Sequence, residues 1–145
     1  MRREDELHPI HRAVPLVHAA FFVIGGLWAI VGRRSFEAIS GRKVDYWLVR
    51  TVGGLLVVVG AVLANAARRN RVTPEIAWLG IGSSAVLTAI DLAYTAKRRI
   101  SPVYLLDAVA NTLLIAGWAA RELGSASERR ETGRLQTSTA EPDAR

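Results

Sequence analysis

Three ionisable residues stand inside otherwise apolar stretches of this chain: Arg50, Asp91 and Asp107. An Asp or Arg near the middle of a membrane helix costs about 2.5–3.5 kcal/mol, less toward the interface, so each calls for a partner. One Arg between two carboxylates would offset much of that cost through charge-assisted hydrogen bonds. A negative charge remains in excess. Either water reaches the group or one carboxyl holds a proton, and the second outcome is a proton-binding site. A plainer account is structural, and the sequence favours it. In that account Arg50 snorkels to the headgroups and the two Asp fix helix register by hydrogen bonding.

Spacing adds direction to these charges. Ser84, Thr88, Asp91 and Thr95 recur at helical intervals and form one polar stripe. Asp107, Asn111 and Trp118 line one face of the next segment. A short loop joins the two segments, so they are expected as antiparallel neighbours with their stripes facing. The candidate site is therefore Arg50, Asp91 and Asp107, with Ser84, Thr88 and Asn111 in support.

Other groups carry less. His18 lies alone in an apolar run, with no acid or second histidine near it in sequence, and reads as a packed residue. His8 and His11 flank Pro9 in a charged terminus and read as solvated. Asn65 and Glu75 face each other across a short loop, where Glu75 serves the start of a helix. The chain has no cysteine, which excludes disulfides, thiolate metal sites and thiol nucleophiles. No metal or cofactor motif is present, and no paired His or acid motif of the kind an enzyme would need.

The elements that must position these residues are long apolar helices. The run 13–31 contains nineteen residues without Asp, Glu, Lys or Arg. Crossing ~30 Å of hydrocarbon takes ~20 helical residues, so this is an expected span, with Pro15 in its first turn. It exceeds a signal-peptide core of ~7–15 residues and lacks a small-x-small site after it, so it is expected to remain uncleaved. A second span is expected over 46–67, with Gly53, Gly54, Gly60, Ala61 and Ala64 giving it small-residue surfaces. A third covers 75–96, opened by Thr73 as cap and Pro74 at the first position. The fourth covers 102–120, with Ser101 as cap. Counting from helix ends at 1.5 Å per residue puts Arg50, Asp91 and Asp107 at one level, ~6–8 Å deep in a single leaflet. Residues 1–12 form a charged tail, and 121–145, polar and poor in apolar anchors, are expected to be disordered.

The expected fold class is thus all-α: a polytopic membrane protein with a four-helix transmembrane bundle over 13–120. A soluble bundle would show a polar face on each helix, yet 51–64 hold no charge at any angle and 103–120 hold only Asp107. Trp28, Tyr46, Trp47, Tyr94 and Tyr104 fall near one membrane face, Trp78 and Trp118 near the other. The net charge of +6 sits in doublets and triplets flanking the runs, such as Arg33-Arg34 and Lys97-Arg98-Arg99. That pattern suits lipid headgroups and not nucleic acid. The tails and the 68–73 loop carry eleven Lys and Arg against seven on the other side, which favours both termini in the cytoplasm. Arginine outnumbers lysine seventeen to two, a GC-rich bacterial usage that points to a cytoplasmic (inner) membrane.

The layout superficially resembles small multidrug transporters, but their essential first-helix glutamate has no counterpart in 13–31. The segments Asp45-Tyr46-Trp47-Leu48-Val49-Arg50-Thr51 and Tyr104-Leu105-Leu106-Asp107-Ala108 are similar instead to small uncharacterised four-helix bacterial integral membrane proteins. The expected role is a small accessory or structural membrane component. Its partners would be the bilayer and a second copy or a larger membrane protein. The alternative is a proton- or ion-coupled small-molecule transporter built on the charged cluster.

Overall fold

The computed structural model describes residues 9–42 and 44–139, and side chains within 12–127. The described chain is all-helical: α1 Pro9–Val31, α2 Arg33–Ser40, α3 Tyr46–Arg68, α4 Pro74–Ala96 and α5 Tyr104–Thr139. Three helices, over Arg12–Val31, Tyr46–Arg68 and Pro74–Ala96, are long and apolar enough to cross a membrane. The apolar half of α5 falls short of that measure because Asp107 and Asn111 interrupt it.

Four boundaries differ from the sequence expectation. First, α1 begins at Pro9, inside the expected tail, so Pro15 lies within the helix rather than in its first turn. A proline at the first position costs no hydrogen bond, which lets the helix start that early. The remaining tail residues 1–8 lie outside the described residues, as does His8. Second, the expected loop 32–45 contains α2. Its Phe36 ring packs edge-on to Trp28 at 5.4 Å and to Tyr46 at 6.4 Å, which folds the segment back over the α1–α3 end.

Third, α5 runs on to Thr139, through residues expected to be disordered. Arg, Glu, Leu and Ala dominate the start of that stretch, and no proline interrupts it before Pro142, so an established helix propagates at little cost. Residues 140–145 lie outside the described residues. Fourth, Ser101 is not followed directly by α-helix. Val103 N–H donates to Ser101 Oγ at 3.4 Å, and three successive i→i+3 bonds tighten the entry before α5 begins. Thr73 sits extended before Pro74, but its side chain makes no cap hydrogen bond.

Helix exits use left-handed residues. Asn70 and Arg98 have φ of 51° and 52°, and Arg71 and Arg99 N–H reach back to Ala66 and Tyr94 carbonyls. These reverse turns return the chain antiparallel, α3 into α4 and α4 into α5.

Packing falls into two intimate pairs, α1 with α3 and α4 with α5, joined by α1–α5 and α3–α4 contacts. The first pair is close because glycines meet backbone. A Cβ on Gly53 would sit 2.8 Å from the Gly26 carbonyl oxygen, and one on Gly60 would sit 2.9 Å from that of Ala19. Dispersion between closely approached helices drives association where lipid removes the hydrophobic term. Gly53 and Gly60 thus fulfil the small-residue expectation, whereas Gly54 faces open space. Tyr46 locks the other end of the pair: it is buried, and its hydroxyl donates to Ala29 O at 2.7 Å. With α1 and α4 each bordering α3 and α5, those two helices stand diagonally across the centre.

Candidate functional site

The α4–α5 interface carries both expected polar stripes, and they face each other. Asp91 is buried, and its carboxyl neighbours the Asp107 carboxyl across the interface. Helix α4 delivers Asp91 about five residues before its C-terminal end, and α5 delivers Asp107 in its first turn. Antiparallel pairing brings those two levels together.

Arg50 is not there. It is exposed on α3, with its guanidinium 5.8 Å from the centroid of the Tyr46 ring, one turn earlier on its own helix. Among the described residues it makes no ion pair. On α3 this side chain is exposed and lies away from the α4–α5 seam. The three-charge cluster is therefore a two-carboxyl pair, with the snorkelling account of Arg50 closer to what is observed.

Asn111 completes the pair. It is fully buried, and its Nδ2 donates to Asp107 Oδ2 and to Asp107 O, both at 3.0 Å. Both partners are acceptors, which fixes the orientation of the amide. Its Oδ1 is enclosed and has no hydrogen-bond partner among the described residues, and the same holds for Asp91 Oδ2, Thr88 Oγ1 and Thr95 Oγ1. These atoms trace the seam between the helices. Buried polar groups without partners are few in folded proteins, so a row of them marks a place where something polar belongs.

One turn further in lies a group that sequence reasoning assigned to ordinary packing. His18 on α1 is fully buried and bridges to both helices across the centre. The Trp118 indole Nε1–H donates to His18 Nδ1 at 3.0 Å, and His18 Nε2 stands 3.1 Å from Ser84 Oγ. An indole can only donate, so Nδ1 accepts, and the neutral ring carries its proton on Nε2 and donates to Ser84. Phe22 packs edge-on to the imidazole at 4.3 Å. Gly80 makes room for Trp118, since a Cβ there would lie 3.0 Å from the indole nitrogen.

Ser84 thus serves His18 rather than the aspartates. Trp118 shares a face with Asn111 as expected, but it is fully buried and not part of an interfacial belt. Trp78, by contrast, is exposed. Asn65 does not reach Glu75: its Oδ1 accepts from Arg69 Nε at 3.1 Å within the same turn. Of His11 only the backbone is described. Groups of three or more His, Cys, Asp or Glu suited to a metal ion are absent among the described residues.

On the terminal side of His18 the interior is apolar. Trp118, Leu63, Ala77 and Ala19 form one buried cluster, flanked by Val14, Val59 and Ile76. On the outer face, α1 and α5 enclose an open apolar groove of about 390 Å³, lined by residues that include Val14, Val17, Phe21, Leu113 and Gly117.

No family model, curated protein or solved structure matches this chain.

Proposed function

We propose that the chain is a four-span integral protein of a bacterial cytoplasmic membrane, with both termini cytoplasmic, in which Asp91 and Asp107 bind and release one proton. The fourth span is the apolar first half of α5, which packs as a bundle member on α4 and α1. Two ionised carboxylates cannot hydrogen-bond to each other; a carboxyl and a carboxylate can. The observation that carries the reading is the meeting of the two side chains without Arg50, which removes the charge-neutralising partner. Acids inside membrane spans are rare and costly, and they are found in proton and ion pathways. The role that follows is a proton- or ion-coupled component handling a small molecule, with the pair as its coupling site.

A second reading, the accessory or structural component, is favoured by the apolar α1–α5 groove. Its apolar lining offers a surface to a helix of a second copy or of a larger membrane partner. The segments 45–51 and 104–108 support grouping the chain with small four-helix bacterial membrane proteins.

Reconstitution into liposomes containing a pH-sensitive dye separates the two. Substrate-dependent proton flux that disappears in Asp91→Asn and Asp107→Asn supports coupling. A chain that gives no flux across a broad compound panel, yet co-purifies as a defined oligomer, supports the accessory role.

A further inference from the structure

We infer that Arg33 and Arg50, set around the Tyr46 ring where α2 folds back over the α1–α3 end, bind the phosphate of an anionic phospholipid. The site lies apart from the carboxyl pair and stands whether or not that pair holds a proton.

Tyr46 is a fixed platform, held by its hydroxyl bond to Ala29 O at 2.7 Å and by the Phe36 ring at 6.4 Å. Guanidinium groups from two different helices converge on it. Arg33 Cζ lies 4.7 Å from the ring centroid and Arg50 Cζ lies 5.8 Å from the same point. Two positive charges held so near each other repel, and an anion shared by both turns that cost into binding. Arg33 donates through Nε to Glu37 at 3.4 Å yet stays exposed, and Arg50 is exposed with no ion pair among the described residues. The planar fork of each suits phosphate oxygens. Helix α2 adds backbone donors: Gly32 gives it no side-chain cap, and the amides of Arg33, Arg34 and Ser35 meet no carbonyl among the described residues. Uncapped first-turn amides favour an anion.

Position assigns the phosphate to a lipid. Arg50 stands four residues after Tyr46, the first residue of α3, or about 6 Å along the helix, where headgroup gives way to hydrocarbon. Further down the same side of α3, Gly54 opens on free space and Val58 is exposed. An acyl chain attached to a phosphate at Arg50 therefore has an apolar path toward the bilayer centre. Trp28 and Trp47 are exposed at this level, as amphipathic rings are where headgroups pack. Arg33, Arg34, Arg42 and Arg50 outnumber Glu37 and Asp45 at this corner. A headgroup that brings its own ammonium would meet that surplus of positive charge, so an anionic headgroup is preferred.

The test titrates the full chain in detergent and counts bound lipid by native mass spectrometry. The probes are phosphatidylglycerol, phosphatidylcholine with the same acyl chains, and inorganic phosphate. Phosphatidylglycerol is expected to bind more tightly than phosphatidylcholine. Arg50→Gln should weaken it about five-fold, the worth of one arginine at an anionic lipid surface, and adding Arg33→Gln should weaken it about five-fold again. Arg99→Gln removes the same charge from the 97–103 loop and should leave the affinity unchanged. Gly54→Leu fills the space below Arg50 and should also weaken the lipid. Melting without lipid checks that each variant is folded; should the double variant unfold, Arg50→Gln and Gly54→Leu decide the question. Affinity unchanged in Arg50→Gln, or lowered equally by Arg99→Gln, overturns the site. Equal binding of phosphatidylcholine overturns the anionic headgroup. Displacement of the lipid by millimolar inorganic phosphate, with Gly54→Leu indifferent, makes the site one for a free anion and overturns the lipid.

Discussion

Trp118 donates its indole N–H to His18 Nδ1 at 3.0 Å, across one hundred residues of sequence, and thereby fixes which ring nitrogen carries the proton. The bond ties α5 to α1, and the other nitrogen ties α1 to α4 through Ser84. One imidazole thus joins three helices at a level where lipid offers no hydrogen-bonding alternative.

Replacing Trp118 by Phe keeps an aromatic ring but leaves His18 Nδ1 enclosed without a donor. The expected loss is about 1–3 kcal/mol of stability, the cost of an unsatisfied buried polar atom. Thermal unfolding in detergent measures it. Nitrogen-15 spectra of the parent should show the Nε2–H tautomer; an Nδ1–H ring would contradict the geometry.

The glycine contact between α1 and α3 predicts a sharp positional contrast. Gly60→Val drives a side chain into the Ala19 carbonyl and Val23, whereas Gly54→Val enters open space. Overpacking of that kind costs roughly 1–3 kcal/mol or more, so Gly60→Val should lower the melting temperature clearly and Gly54→Val should barely move it. Equal effects at both positions would mean that the two helices do not meet along this face.

Asn111→Leu is close in volume and removes both bonds to Asp107. Depriving this half-buried carboxyl of its donor is expected to cost about 1–3 kcal/mol in the same unfolding assay. Thr112→Val serves as control: it lies next door, but its hydroxyl is spent on the Ala108 carbonyl of its own helix.

Arg50→Gln separates the observed arrangement from the three-charge cluster. Because Arg50 is exposed and stacks on Tyr46, the variant should change stability by no more than about 0.5 kcal/mol and leave the carboxyl pair as it was. A variant that fails to fold, or whose carboxyl spectrum changes, would return Arg50 to the site.

Much of this arrangement is legible in the sequence. Uninterrupted apolar runs set the helix positions, and polar residues at helical spacing put Asp91 and Asp107 on facing stripes of adjacent helices. Arg50 escaped because counting from a helix end gives depth and not azimuth, and its azimuth leaves it exposed. His18 escaped for a different reason. Its partners lie 66 and 100 residues away, so no local pattern shows them. The signal that could have found it was Trp118, a donor sharing the Asn111 face, which needed an acceptor once that face turned inward. The length of α5 was missed because composition alone says nothing of a helix already nucleated upstream.

The shared proton is tested most directly by infrared spectroscopy of the reconstituted protein at neutral pH. One protonated carboxyl C=O stretch is expected, shifting in D2O and lost in both Asp91→Asn and Asp107→Asn, because each substitution dissolves the pair. A spectrum in which the parent shows only ionised carboxylates, or a band indifferent to both substitutions, would contradict a proton held between Asp91 and Asp107.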